Sequence, residues 1–370
     1  MERGSLDRRR FLERCGAGLA ALGLSGCGRV GANGSASAAP GTAPAPEPKI
    51  SVEKAMAKAL RTGLLTAAVY KEHEPGEGHP EAPARLDAIA QALAPLRGKL
   101  SPLEARPAAE EEILYCHGAE YFKWVKEDLF AGCSSLRTGD TNVSRKSLEA
   151  ALAAAGGAMN AVDAVLSGKV KNAFCAVRPP GHHAASNRGM GFCIFNNVAL
   201  AARYAQRKHK LAKVLIADWD VHHGNGTQEI FWKDGTVFFL STHQFPWYPG
   251  SGRKEETGEG PGAGCIMNRP FPAGAGRREI LGVFQDELVP AAAKFKPDLV
   301  LISAGFDSRD GDPLGGFKLT DEDFRDLTRV MLAIAKEHAQ GRVLSLLEGG
   351  YDLEGLGKAV AAHVGALAEG

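Results

Sequence analysis

The chain has 370 residues, of which 44% are hydrophobic and 24% are charged, as in an ordinary soluble globular protein. Its formal net charge is +1, and without residues 1–27 it is −1, with 39 basic and 40 acidic side chains. This balance gives no electrostatic basis for binding nucleic acid, and we expect no nucleic-acid partner. The seven cysteines are scattered without a C-x-x-C pair, so the sequence indicates neither a disulfide framework nor a thiolate zinc site.

The first 27 residues have the pattern of an export signal. Residues 7–12 match the twin-arginine motif, and small, weakly apolar residues follow at 16–26. They end in Leu-Ser-Gly-Cys, which resembles a lipobox and predicts a lipid anchor on Cys27; the alternative is a chance cysteine. Residues 28–48, rich in Gly, Ala, Ser and Pro, are predicted to be a flexible linker. We therefore expect a lipoprotein exported by the twin-arginine route to a bacterial cell envelope.

Residues 49–370 are expected to form one catalytic domain in which strands and helices alternate. Apolar runs that predict strands lie near 65–70, 113–115, 173–177, 213–218, 236–241, 298–304 and 342–347. Helical patterns lie between most of them, at 84–96, 147–166, 198–207, 277–295 and 321–339. Such alternation predicts an α/β fold with a mainly parallel sheet and helices on both of its faces.

Clusters of polar residues follow four of the predicted strands, at 178–183, 218–225, 303–307 and 348–351. The carboxyl ends of parallel strands meet at one edge of a sheet, where α/β folds place their ligands. Asp220 and His222 alone would be read as a hydrogen-bonded pair at a strand end. Together with the other clusters, they are predicted to supply half of the ligands of a metal site.

Taken together, these motifs resemble the zinc-dependent histone deacetylase family of the arginase–deacetylase superfamily, above all its class II branch and bacterial amidohydrolase relatives. The ordered motifs that carry the resemblance lie at 79–86, 140–141, 178–183, 191–197, 218–226, 248–252, 303–307, 311–316 and 349–351. The resemblance implies a single-domain, mainly parallel eight-stranded sheet flanked by helices.

The resemblance implies that Asp220, His222 and Asp307 bind one Zn²⁺ ion. Two carboxylates and one imidazole leave positions for water and substrate, as in an open catalytic site rather than a closed structural one. Iron in place of zinc in the cell stays open. A potassium (K⁺) site is also implied, formed by Asp218, Asp220, His222, Ser241 and Thr242.

The tandem histidines are implied to be the general base and acid. The resemblance assigns Asp218 as the partner of His182 and Asn225 as the partner of His183. Because a neutral amide stabilises an imidazolium less than a carboxylate does, we expect His183 to titrate lower. Tyr351 is implied to donate its hydroxyl to the substrate carbonyl as that oxygen becomes an oxyanion.

The resemblance also implies a narrow channel for the acyl-lysine stem, with an arginine at the inner cavity where acetate leaves. The residues assigned to these places are Phe192, Tyr248, Leu314, Gly191 and Gly349 for the channel and Arg85 for the acetate cavity. Relatives that favour acetylated polyamines carry Glu at the position of Leu314. An apolar residue there favours an acyl-lysine stem, although Asp310 and Asp312 lie nearby in sequence and could partly replace the missing carboxylate.

These observations predict a zinc-dependent amidohydrolase that removes short acyl groups from amines, foremost acetyl-lysine side chains. Metal-activated water would attack the carbonyl, with histidine acid–base catalysis and stabilisation of the oxyanion by tyrosine. One alternative is an amidohydrolase acting on acetylpolyamines or other small amides. Another is a metal-binding protein without turnover. The sequence leaves the physiological substrate and the oligomeric state open.

Overall fold

Eight strands form the centre of the structure, a computed structural model that describes residues 61–370. The strands are β1 (Thr62–Leu65), β2 (Leu100–Leu103), β3 (Asn172–Cys175), β4 (Val214–Asp218), β5 (Val237–Gln244), β6 (Ile266–Phe271), β7 (Leu299–Ala304) and β8 (Val343–Leu347). They form one sheet in the order β2-β1-β3-β8-β7-β4-β5-β6, and every neighbouring pair is parallel. The predicted eight-stranded α/β architecture is therefore confirmed.

Helices connect and flank the strands. The α-helices of residues 61–370 are α1 (Ala84–Ala92), α2 (Glu110–Ile113), α3 (Ala119–Ala131), α4 (Ser147–Leu166), α5 (Asn197–His209), α6 (Asn225–Phe231), α7 (Arg277–Gly282), α8 (Val289–Phe295), α9 (Asp321–His338) and α10 (Leu353–Glu369). A π-helical turn, Val283–Leu288, joins α7 to α8, and short 3-10 turns occupy Ala68–Glu72, Ala94–Lys99 and Gly260–Gly262. None of these helices is long and apolar enough to cross a membrane.

Five of the six inner strands are buried along their whole length, as expected for a parallel sheet that is covered on both faces. All residues of β3, β4, β5, β7 and β8 are buried. Continuous apolar runs such as Leu299–Ala304 are therefore read correctly as strands from the sequence.

Two strands escape the sequence prediction because they are the edges of the sheet. β2 contains Pro102 and β6 contains Pro270, and both strands alternate or mix polar with apolar residues. Proline lacks the N–H of a ladder bond and is tolerated at an edge, where one side of the strand needs no partner. The usual pattern of a buried parallel strand is therefore missing at both edges.

The strand predicted at 113–115 is wrong. Ile113 ends the short helix α2, whose Glu112 side chain accepts a hydrogen bond from the amide of Ala109 at the start of that helix. The run predicted at 65–70 is also displaced, because β1 ends at Leu65 and a 3-10 turn follows. The helices predicted at 147–166 and 321–339 are found at Ser147–Leu166 and Asp321–His338.

The polar clusters follow β3, β8, β7 and β4, which are the four adjacent strands at the centre of the sheet. Their register brings Asp218 beside Ser303, and Ser303 beside Leu346. The chain segments after these strands consequently start from neighbouring points on one edge of the sheet. The predicted signal at 1–27, the linker at 28–48 and the anchor at Cys27 lie outside the described residues.

Candidate active site

Three buried side chains meet beyond β4 and β7. Nδ1 of His222 lies 3.0 Å from Oδ1 of Asp220 and 3.2 Å from Oδ2 of Asp307. One potential ligand atom from each of the three residues lies within 4.8 Å of the others, and no other such cluster of His, Cys, Asp or Glu occurs in residues 61–370. The structure therefore brings together the three residues predicted to hold the metal.

The chemistry of this donor set fits a divalent cation. Asp220 and Asp307 are both fully buried, and neither forms an ion pair with Lys or Arg in the described part of the chain. Burial, followed by the nearby charge of Asp220, raises the pKa of Asp307 to about 7. A cation among these ligands would relieve both effects, and one nitrogen with two oxygens is an open zinc donor set.

Backbone amides hold the carboxylates of Asp220 and Asp307 in place by hydrogen bonds. The amide of Val221 donates to Oδ1 of Asp307 at 2.9 Å, and the amide of Gly349 donates to Oδ2 of Asp220 at 2.8 Å. A Cβ at Gly349 would lie 2.0 Å from Oδ2 of Asp307. Glycine is therefore required there for the segment after β8 to approach the metal site.

His182 is held by two acidic residues. Its Nδ1 is 2.9 Å from Oδ2 of Asp218, as predicted, and its backbone amide donates to Oε2 of Glu348 at 3.1 Å. Burial alone would lower the pKa of His182, but the charges of Asp218 and Asp220 raise it well above its usual value. Burial raises the pKa of Glu348 to about 7.

His183 lies beside His182 but in a different electrostatic environment. Its Nδ1 is 2.7 Å from Oδ1 of Asn225, the predicted partner. Burial, together with the neighbouring His182 and His222, lowers the pKa of His183 well below its usual value. The direction agrees with the sequence hypothesis, although burial, rather than the amide partner, is the main cause.

Tyr351 follows β8 and its ring lies against Arg85, whose guanidinium carbon is 5.1 Å from the ring centroid. Arg85 is fully buried and donates to the carbonyl oxygens of Gly350 and Glu348 at 2.7 and 2.5 Å, and to Glu81 at 3.0 Å. The guanidinium predicted to face an acetate cavity thus holds the backbone on either side of Gly349.

A channel with a volume of about 270 Å³ leads from the surface to His183 and His222. Its lining consists of Asp140, His183, Gly191, Phe192, His222, Trp247, Tyr248, Leu314 and Tyr351. Predicted channel residues Phe192, Tyr248, Leu314 and Gly191 are among them. Gly349 instead lies behind the metal ligands.

The mouth of the channel is built from loops. Asp140 accepts hydrogen bonds from the hydroxyl of Tyr248 at 2.8 Å and from the amide of Gly191 at 2.8 Å. The indole of Trp247 donates to the carbonyl oxygen of Leu314 at 3.0 Å. Through Asp140, these bonds join the loops that contain Asp140 and Gly191 to the loop after β5. Through Trp247, the loop after β5 is joined to the loop after β7.

The carboxylates expected to assist at Leu314 are not available there. Asp312 is buried and accepts hydrogen bonds from the backbone amides of Leu314 and Tyr351 at 2.9 and 2.6 Å. Asp310 pairs with Lys318 at 2.6 Å. Neither aspartate lines the channel, so the structure does not support the alternative that Asp310 or Asp312 replaces the missing carboxylate.

The residues predicted to bind potassium also lie close together at the end of β4. Ser241 is paired with Asp218 across the β4–β5 ladder, and both are fully buried. The Ser241 hydroxyl is 2.9 Å from Nδ1 of His243, and the Thr242 hydroxyl is buried without a hydrogen-bond partner.

Sequence reasoning did not identify the contacts by which Glu348, Asp312 and Asp140 hold His182, Tyr351 and Tyr248. Each acts on backbone or on a side chain that is distant in sequence, and such contacts leave no local pattern. The only available signal was their position within the motifs at 140–141, 311–316 and 348–351.

Comparisons with known proteins agree with this geometry. The family model described as "Histone deacetylase domain" matches residues 79–367. A "Probable deacetylase" of Archaeoglobus fulgidus is 38% identical over 301 residues, covering 80% of this chain and 82% of that protein. The "Polyamine deacetylase HDAC10" of Homo sapiens is 39% identical over 300 residues, covering 78% of this chain and 44% of that protein.

A solved structure supports the same assignment. The crystal structure of the HDA15 HD domain is similar with a TM-score of 0.80 and 37% sequence identity, covering 84% of this chain and 89% of that one. The family match over residues 79–367 includes seven of the eight strands and all the residues that line the channel. The chain therefore belongs to the zinc-dependent histone deacetylase family, and it is a hydrolytic deacetylase.

Proposed function

We propose that this deacetylase hydrolyses the amide bond of Nε-acetyl-lysine side chains, with Zn²⁺ held by Asp220, His222 and Asp307. The observation that carries the proposal is the channel, which ends at a buried cluster of two carboxylates and three imidazoles. Its upper wall at Leu314 is apolar and suits the uncharged stem of an acylated lysine.

When bound, the zinc ion supplies Lewis-acid polarisation of the substrate carbonyl and lowers the pKa of water. His183 is uncharged near neutral pH, because its pKa is lowered, and the hydrogen bond to Asn225 occupies Nδ1. Its Nε2 is left to accept a proton from the attacking water. The Tyr351 hydroxyl donates to the developing oxyanion, and His183 or His182 returns a proton to the leaving amine.

The two histidines divide the acid and base roles because their surroundings push their pKa values apart. Asp218 holds His182 and, together with Asp220, raises its pKa, which favours the cationic ring. The lowered pKa of His183 favours a neutral ring that can take up the proton. A potassium ion near Asp218 and Ser241 belongs to the same proposal, supported by the buried hydroxyl of Thr242, which lacks a partner.

The substrate preference follows from the charges at the channel wall. A polyamine carries a second ammonium close to its acetylated nitrogen, and burying that cation without a partner is unfavourable. Leu314 offers it no acceptor, and Asp310 and Asp312 are engaged elsewhere. The one carboxylate in the channel lining, Asp140, already accepts hydrogen bonds from Tyr248 and Gly191. We therefore expect a higher kcat/KM for acetyl-lysine peptides than for acetylputrescine or acetylspermidine.

Kinetics with both substrate classes test this proposal, and Leu314→Glu should narrow or reverse the preference. Leu114→Glu is a matched control, since Leu114 is 37% exposed at the end of α2 and lies outside the channel. A wild-type preference for acetylpolyamines would contradict the substrate assignment and support the polyamine alternative. If both activities persisted after the metal was removed, the mechanism would be contradicted.

We further propose that the protein is exported by the twin-arginine route and anchored in the cell envelope through Cys27. The support is the sequence of residues 7–12 and the lipobox that ends at Cys27. Replacing Arg8 and Arg9 by Lys should retain the precursor in the cytoplasm, as measured by cell fractionation. Cys27→Ser should remove the lipid, and a native cytoplasmic protein with an intact N-terminus would contradict the proposal.

A further inference from the structure

The backbone that carries Tyr351 lies between two buried side chains of opposite charge. On one side, Arg85 donates to the carbonyl oxygens of Glu348 and Gly350. On the other side, Oδ2 of Asp312 accepts from the amide of Tyr351 at 2.6 Å and from the amide of Asp352 at 3.2 Å. Arg85 thus binds carbonyl oxygens, and Asp312 binds backbone amides, of the segment 348–352.

Asp312 also holds a second part of the channel wall. Its second oxygen, Oδ1, accepts from the amide of Leu314 at 2.9 Å, and the Leu314 carbonyl in turn accepts from the Trp247 indole. Leu314 and Tyr351 both line the channel, although one follows β7 and the other follows β8. One carboxylate therefore joins the loop that meets the substrate stem to the segment that carries the phenol.

The site requires both oxygens of a carboxylate. Three backbone N–H groups converge on Asp312, which is only 8% exposed and forms no ion pair with Lys or Arg in the described residues. An ionised carboxylate can accept all three bonds, whereas an amide has one oxygen and places an NH₂ group against an N–H donor. If Asp312 served only to close a turn within residues 311–316, it would need only Oδ1, which accepts from the amide of Leu314.

We propose that Asp312 is a positioning residue, which sets the place of the Tyr351 hydroxyl in the channel and couples it to Leu314. This inference rests on the proposed role of Tyr351 as the oxyanion donor. Asp312 does not line the channel and so acts through the backbone of Tyr351. A displaced phenol should slow the chemical step more than it weakens substrate binding.

The test begins with Asp312→Asn in the zinc-loaded enzyme. Because a misplacement of about 1 Å can cost up to about 100-fold in rate, we expect kcat to fall by about 10-fold or more. KM should change by less than about 3-fold, and zinc content should stay at one ion per chain. An unchanged kcat in folded, zinc-loaded Asp312→Asn would overturn the inference.

A double-mutant cycle with Tyr351→Phe separates positioning from general support of the fold. Without the phenol hydroxyl there is nothing for Asp312 to position, so Asp312→Asn should cause little further loss of kcat in that background. Losses that multiply would show that Asp312 acts independently of Tyr351, and the inference would be wrong. Asp310→Asn is the control, because Asp310 is exposed and pairs with Lys318, and it should keep wild-type kcat.

If Asp312→Asn does not fold, Asp312→Glu serves in the same cycle. It keeps the charge and both oxygens but shifts them by one methylene, so a smaller loss of kcat is expected, again confined to enzyme that carries Tyr351. Wild-type kcat in Asp312→Glu would overturn the inference. If Tyr351→Phe itself keeps the wild-type rate, the oxyanion role in the proposed function fails; if only the Asp312 variants keep it, this inference alone fails.

Discussion

The inner end of the active site and the mouth of its channel are held by different means. At the inner end, Asp218, Asp220 and Asp307 are fully buried, and each accepts a hydrogen bond from a backbone amide. At the mouth, Trp247 is 47% exposed and Asp140 is also exposed. The bonds there join a side chain on one loop to a side chain or a backbone carbonyl on another.

The difference indicates how reaction and selectivity are separated in this fold. The inner residues take their positions from four adjacent strands whose register is fixed by the whole sheet, so they tolerate little change. The mouth residues depend on a few contacts between loops that can alter without disturbing the sheet. We therefore expect changes at the inner end to abolish activity and changes at the mouth to alter substrate use.

The largest effect should follow substitution of the proposed metal ligands. Asp220→Ala, His222→Ala and Asp307→Ala should each abolish stoichiometric zinc and activity together, because each removes one of three protein ligands. Metal analysis and an acetyl-lysine peptide assay on the purified variants would measure both quantities. Thermal unfolding in the presence of a chelator would show whether the apo fold persists.

Full zinc occupancy in all three variants would contradict the site assignment and with it the contrast between inner end and mouth. Leu314→Ala provides a control, since Leu314 lies in the same channel but offers no ligand atom. We expect it to bind one zinc ion per chain and to remain active.

Much of the inner end could be predicted from the sequence because its ligands lie next to continuous apolar strands. Asp220 and His222 follow β4 directly, and Asp307 follows β7, so strand prediction and motif position point to the same place. The contacts of Asp312 and Glu348 could not be predicted in this way. They depend on β8 lying between β3 and β7 in the sheet, which local patterns do not encode.

The mouth was predicted less well for a related reason. Tyr248 and Leu314 were identified by motif, but their bonds to Asp140 and Trp247 join segments that are 108 and 67 residues apart. Asp310 and Asp312, which were left open as substitutes for a carboxylate at Leu314, do not line the channel, because proximity in sequence says nothing about which way a side chain faces.

The second prediction concerns stability and tests the support behind the inner end. His117 donates from Nδ1 to the carbonyl of Ala185 at 2.9 Å, and its Nε2 accepts from the amide of Asn196 at 2.9 Å. These bonds require the neutral ring, and burial lowers the pKa of His117 from 6.5 to about 4. The unfolded chain therefore binds the proton more tightly, and stability is lost as the pH falls from 6.5 towards 4.

At pH 5 this single histidine should cost about 2 kcal/mol of unfolding free energy relative to pH 7.5, at about 1.4 kcal/mol for each pKa unit. His117→Gln removes the titration, so its unfolding free energy should fall less between these two pH values. Urea unfolding with chelator present, which removes the contribution of metal release, would measure the difference. Equal pH dependence in the two proteins would show that His117 does not take up a proton on unfolding.

The smallest effect is expected at the mouth. Tyr248→Phe keeps the aromatic wall of the channel but removes the hydroxyl that donates to Asp140 at 2.8 Å. Because Asp140 is exposed, water can replace this bond, and such exchange leaves a net effect of about 1 kcal/mol, or about 5-fold. We expect this change in KM for acetyl-lysine peptides, with kcat and zinc content close to those of the wild type.

The control is Asp140→Asn, which keeps a carbonyl acceptor for Tyr248 or for Gly191 and should have a similar or smaller effect on KM. A fall in kcat of about 100-fold in Tyr248→Phe, the size expected for loss of an oxyanion donor, would place Tyr248 with the inner end and remove the distinction between the two regions.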